Sequence, residues 1–129
     1  MTAPQWAQDL VLRVALDEER DDVPNLGWWR ARKRKTWAGL RPAHAMSSGR
    51  SWPTKNRIHV TAGTDRKDQK LVLLHELAHW LSPPTEHHGP TFWDTAWRLY
   101  RTYKVPLTYA KVREGNYRKG ALIAARKRS

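Results

Sequence analysis

Asp65-Arg66-Lys67-Asp68-Gln69-Lys70-Leu71-Val72-Leu73-Leu74-His75-Glu76-Leu77-Ala78-His79-Trp80-Leu81 is the stretch that organises this chain. Leu71, Leu74, Ala78 and Leu81 recur at helical spacing, which predicts a helix from about Arg66 to Leu81 with that stripe toward the core. Gly63-Thr64-Asp65 turns the chain into it and offers N-cap candidates, whose side-chain oxygens can accept first-turn N–H groups. Ser82-Pro83-Pro84 stops it, because proline lacks the backbone donor and clashes with the preceding turn. Just upstream, Arg57-Ile58-His59-Val60-Thr61-Ala62 alternates and is β-branched, so a strand is expected there.

Outward from this unit, Gln5 to Arg20 reads as an amphipathic helix. Trp6, Leu10, Val14 and Asp17 fall on one line, with Leu12 and Leu16 beside it. Asp21-Asp22-Val23-Pro24 should end it, since Pro24 disfavours a helical residue before it. From Leu26 to Met46 a basic run (Arg30, Arg32, Lys33, Arg34, Lys35) is flanked by Trp28, Trp29, Trp37 and Leu40, as in a strand with exposed basic positions. Ser47 to Thr54 is a loop by composition. A second helix should start near Pro90, a favoured first-turn residue. Its packing stripe is Trp93, Ala96 or Trp97, Tyr100 and Tyr103, and Val105-Pro106 ends it. Leu107 to Ser129 has room for one or two further helices.

The length of 129 residues fits a single domain, 1–129. Eight Trp and four Tyr supply large aromatic anchors for the core. Cysteine is absent. That excludes disulfides and a Cys-based zinc ribbon, so any metal must sit on His and carboxylates. The formal net charge of +12 points to an anionic partner: nucleic acid, an acidic protein or a membrane surface. The most apolar run, Leu71 to Leu81, contains two His and one Glu and is not a membrane span. Met1 to Leu10 lacks the pattern of a signal peptide. An intracellular, cytoplasmic protein is therefore expected, or one of the host cytoplasm if the chain is virus-encoded.

His75 and His79 are one helical turn apart, so both imidazoles share a face where one zinc can bind both. Glu76, beside the first of them, suits the zincin arrangement, in which it acts on a metal-bound water rather than on the metal. Zinc lowers that water's pKa to about 7, and the Glu takes its proton as the water attacks a carbonyl. A catalytic zinc needs a third protein ligand and an open position. Candidates are Glu86, His87, His88 and Asp94, and more remotely Glu114, His59 and His44. Ser82 and Thr85 stand where the metzincin pattern needs Gly and His, which removes that class.

Together with His75-Glu76-Leu77-Ala78-His79, the segment His88-Gly89-Pro90-Thr91-Phe92 resembles the SprT-like zinc metallopeptidases. The resemblance extends to Arg57-Ile58-His59-Val60 and to Trp37-Ala38-Gly39, over about residues 26–103. It leaves a basic C-terminal extension, 107–129. It implies His75, His79 and His88 as ligands of one catalytic Zn2+, and Glu76 as the base. It implies an α+β, zincin-like domain with an N-terminal helix, a short antiparallel or mixed sheet, the active-site helix and further helices after it. The short segment between His79 and His88 and the missing zinc ribbon depart from the larger members of that family. This chain looks like a minimal catalytic core.

The implied activity is hydrolysis of peptide bonds in a protein or peptide substrate. An extended peptide could pair with the Arg57–Ala62 strand or with the strand before it. Tyr109, Arg113 and Tyr117 are candidates to stabilise an oxyanion, although no spacing rule ties them to the metal and packing roles are the commoner use. Segments 30–35 and 118–128 interleave basic and aromatic residues, which suits non-specific DNA contact. SprT-like enzymes often act on DNA-bound proteins. The competing readings are a basic nucleic-acid-binding module with a structural or vestigial zinc, and a non-proteolytic metal hydrolase.

Overall fold

In the computed structural model, residues 2–30, 57–62, 65–82 and 88–114 are described. Among them the chain forms α1 (Gln5–Asp17), β1 (Asn25–Arg30), β2 (Arg57–Ala62), α2 (Arg66–Leu81), α3 (Pro90–Thr102) and α4 (Leu107–Glu114). The expectations for 31–56, including Trp37-Ala38-Gly39 and most of the basic run, lie outside the described residues, as does 115–129.

The expected helix around His75 forms over the expected residues. Asp65 caps it, its carboxylate accepting from the Lys67 N–H at 2.9 Å and the Asp68 N–H at 3.4 Å. The stripe of Leu71, Leu74, Ala78 and Leu81 understates its burial, for every residue from Leu71 to Trp80 is buried. The reason is its central place: α1, β2 and α3 all contact it. A helix covered on every side has no solvated face for its polar residues. His75, Glu76 and His79 therefore sit within the interior.

Pro90 opens α3 at its first turn, after Gly89. Trp93, Ala96, Trp97, Tyr100 and Tyr103 are all buried, so Ala96 and Trp97 share the inward face. Both α1 and α3 stop before the residues expected to stop them. Glu19 and Lys104 take left-handed backbone angles, with φ of 55° and 66°. The Arg20 N–H then reaches back to the Ala15 carbonyl at 2.9 Å, and the Val105 N–H to the Tyr100 carbonyl at 2.8 Å. These are Schellman-type closures, which satisfy the last carbonyls of a helix within one turn.

The sheet corrects the expectation of an antiparallel or mixed arrangement. β1 and β2 pair in parallel, from Asn25 beside Arg57 to Arg30 beside Ala62. A parallel pair needs a crossover of a dozen or more residues, and segment 31–56 is long enough to make one. Trp28, Ile58, Val60 and Ala62 point into the core. On the opposite face Trp29 stacks on His59, with ring centres 4.8 Å apart. Gly27 permits this, since a Cβ there would lie 2.7 Å from the Trp29 ring.

Polar ties at the helix ends fix the layers. Tyr103 donates to Asp17 at 2.5 Å, Arg98 pairs with Glu18, and Arg20 donates to the Leu81 carbonyl at 3.3 Å. The first two join α1 to α3, and the third joins the end of α1 to the end of α2. Among the described residues no helix is long and apolar enough to cross a membrane.

Candidate metal centre

The helical spacing of His75 and His79 brings their rings to 5.1 Å between centres. His88 enters from the turn before α3. Its Nε2 lies 3.2 Å from the Nε2 of His75 and 3.2 Å from that of His79. Among the described residues these three histidines form a group able to hold a metal ion, with ligand atoms all within 4.8 Å of one another. Zinc–nitrogen bonds of about 2.0–2.1 Å at tetrahedral angles place two ligand nitrogens roughly 3.3 Å apart. The two His88 distances fit that value. His75 and His79 are nearly inaccessible, while His88 is partly exposed, so access to the trio is on the His88 side.

Hydrogen-bond accounting supports the same fit. The Nδ1 of His75 lies 2.7 Å from Glu114 Oε2. In the neutral ring, the form that can bind a metal, a proton there leaves Nε2 with a lone pair. His88 Nε2 carries at most one proton, so it can donate to only one of the two imidazole nitrogens it faces. A cation shared by three lone pairs satisfies all of them.

The rings are held by the first turn of α3. Phe92 is fully buried and stacks on His79 at 4.2 Å, and Trp93 stacks on His88 at 5.7 Å. Phe92 also meets His75 edge-on at 5.0 Å. Gly89 and Pro90 turn the chain between His88 and this wall, so one short segment brings both a ligand candidate and the aromatics that orient it.

Electrostatics bind the trio to Glu114. Burial alone would lower the pKa of His75, but the charge and hydrogen bond of Glu114, with the charge of Glu76, outweigh it and raise the value. Burial alone would raise the pKa of Glu114. His75, the hydrogen bond from Tyr100 and the nearby His88 together lower it, so this carboxylate stays ionised. The Tyr100 hydroxyl donates to Glu114 Oε2 at 2.7 Å.

The other sequence candidates fall in different places. His59 stacks on Trp29 on the outer face of the sheet and is not in the trio. Asp94, in the second turn of α3, is not in it either. Tyr109 and Arg113 are committed to Asp68. The hydroxyl donates to Oδ1 at 2.8 Å, and the guanidinium to Oδ1 at 2.6 Å and Oδ2 at 3.1 Å. Asp68 precedes His75 by two turns, roughly 10 Å along the axis, so these side chains serve packing of α4 on α2. His44, Glu86, His87 and Tyr117 lie outside the described residues. Glu114, read from sequence only as a remote ligand, instead holds the far nitrogen of His75 from 39 positions away. No spacing pattern in the chain marks that pair.

Glu76 is fully buried and close enough to His75 to raise its pKa. The arrangement thus contains three convergent imidazole nitrogens, a carboxylate beside them and a second carboxylate behind them. No family model, curated protein or solved structure significantly matches this chain.

Proposed function

We propose that the chain is a zinc-dependent metallopeptidase in which His75, His79 and His88 hold one Zn2+ and Glu76 is the general base. The observation that carries this reading is the meeting of His88 Nε2 with the Nε2 atoms of His75 and His79, each at zinc-ligand spacing, beside a buried carboxylate. The chemistry such an ion supplies when bound is Lewis acidity, which polarises a carbonyl and makes water a nucleophile at neutral pH.

The chain's own residues do the rest. A Glu76 carboxylate oxygen accepts a proton from the attacking water and returns it to the leaving amine nitrogen. Phe92 and Trp93 hold the imidazoles against rotation and keep bulk water off their inner side. Among the described residues three protein ligands converge rather than four, which would leave a position for substrate and separates a catalytic centre from a closed structural one. The +12 charge favours proteins carried on DNA as substrates, the same class that the SprT-like resemblance implies.

The test pairs zinc content with cleavage of casein and of the chain itself, for the parent and for Glu76→Gln. The expected result is retained zinc and a fall in turnover of about 100-fold or more, the usual contribution of a general acid–base group. Equal turnover in both proteins would refute the assignment.

A further inference from the structure

We propose that Glu114 is the positioning residue of this metal centre: it takes the Nδ1–H of His75 and thereby presents Nε2 toward His79 and His88. The proposal rests on the metal-centre reading above.

A neutral imidazole has two tautomers, and only the Nδ1–H form offers the Nε2 lone pair to a metal. His75 meets His88 through Nε2, while its Nδ1 faces a carboxylate oxygen; an ionised carboxylate only accepts, so in that pair Nδ1 carries the proton. Glu114 Oε2 is 2.7 Å from that nitrogen, and both residues are inaccessible to solvent. A carboxylate at this place fixes the ring's rotation as well as its tautomer, and it strengthens the opposite nitrogen as a donor.

The carboxylate is itself held. Tyr100, on α3, donates to the same oxygen. The helix that carries Glu114 is pinned one residue earlier, where Arg113 grips Asp68 on α2. Asp68 and His75 are two turns apart on one face of α2. The last turn of α4 therefore reaches that face with two consecutive side chains, Arg113 to Asp68 and Glu114 to His75. Residues 107–114, which the sequence assigns to a basic extension, are by this inference part of the metal centre. Zinc affinity then depends on α4 being docked.

The experiment uses the full chain. Zinc affinity is measured by competition with a chromophoric chelator for the parent, Glu114→Ala, Glu114→Gln and Arg113→Lys. Proton NMR on the same proteins follows the slowly exchanging Nδ1–H of His75, assigned by its loss in His75→Gln. Glu114→Ala is expected to weaken zinc binding about 10- to 100-fold and to abolish that resonance. Glu114→Gln still offers an amide oxygen, so the resonance should persist with a smaller loss of affinity. Arg113→Lys is expected to lower the melting temperature while keeping the resonance, which separates docking of α4 from orientation of His75.

The proposal is overturned if folded Glu114→Ala binds zinc within about twofold of the parent. It is equally overturned if the parent shows no protected Nδ1–H on His75. Should Glu114→Ala fail to fold, Glu114→Gln decides: an unchanged resonance with reduced affinity supports the role, and loss of neither overturns it. A parent that binds no zinc refutes the metal reading, whereas the NMR measurement still decides what Glu114 does to His75.

Discussion

His59 and His88 have the same side chain and different neighbours. One lies flat against an indole on the outside of the sheet, and the other meets two imidazoles at the end of an aromatic wall. The difference yields a sharp expectation. His88→Ala should weaken zinc binding by more than the roughly 100-fold that a lost supporting contact produces, while His59→Ala should leave it unchanged. Chelator competition reads both, and equal effects would contradict the assignment. At this scale the sequence was legible wherever chemistry is local. His75, Glu76 and His79 declare themselves because a helical turn sets their relation. His88 needed the Gly89-Pro90 and Phe92 context, and Glu114 had no local sign, since its partner lies across the fold.

Among the elements, α1 and α3 carry a visible imperfection. Each closes with a left-handed residue that has a side chain, Glu19 in one and Lys104 in the other. That conformation crowds Cβ against the following carbonyl and costs about 1–2 kcal/mol for an ordinary residue, whereas glycine avoids the crowding. Lys104→Gly should therefore stabilise the protein by about 1 kcal/mol, less what glycine loses in chain entropy. It should also ease the positive charge that helps lower the pKa of Lys70 below the usual lysine range, after burial and Arg66. Urea unfolding measures the change, and a loss of stability would mean the Lys104 side chain does something more than close a helix. The helix bodies were readable from periodicity, but their ends were not. Proline-based stops at Pro24 and Pro106 come after the actual closures, because a Schellman turn is set by backbone hydrogen bonds that no residue type here announces.

At the scale of the whole molecule, two phenols tie the described helices together, one buried and one partly buried. Tyr103 links α3 to α1 through Asp17, and Tyr109 links α4 to α2 through Asp68. Burial, then the hydrogen bond to a carboxylate and its negative charge, push both pKa values well above the ordinary tyrosine range. The protonated phenol is thus the form the folded state prefers. Below the unfolded tyrosine pKa of about 10 both states are protonated and the stabilisation is complete. Above it the unfolded chain loses protons first, so stability falls with rising pH, by up to about 1.4 kcal/mol per pH unit for each tyrosine, until the folded phenols ionise. The parent's stability advantage over a Tyr103→Phe/Tyr109→Phe variant should be constant below about pH 9.5 and shrink above it. An advantage that stays flat in alkali would contradict this account.

The sequence by itself determined the α+β class, the helix that bears His75 and His79, the strand before it, and the aromatic stripe of α3. All of these follow from short-range rules: periodicity, capping at Asp65 and the stop at Pro83-Pro84. Tertiary structure alone decided that the strands run parallel, because strand direction depends on the path between them. It alone decided that α2 is buried on all sides from Leu71 to Trp80, because periodicity reports one face at a time. It also decided that Glu114 reaches His75. Distant residues meet only when helices dock, and α4 is tied to α2 by the Asp68 contacts two turns before His75.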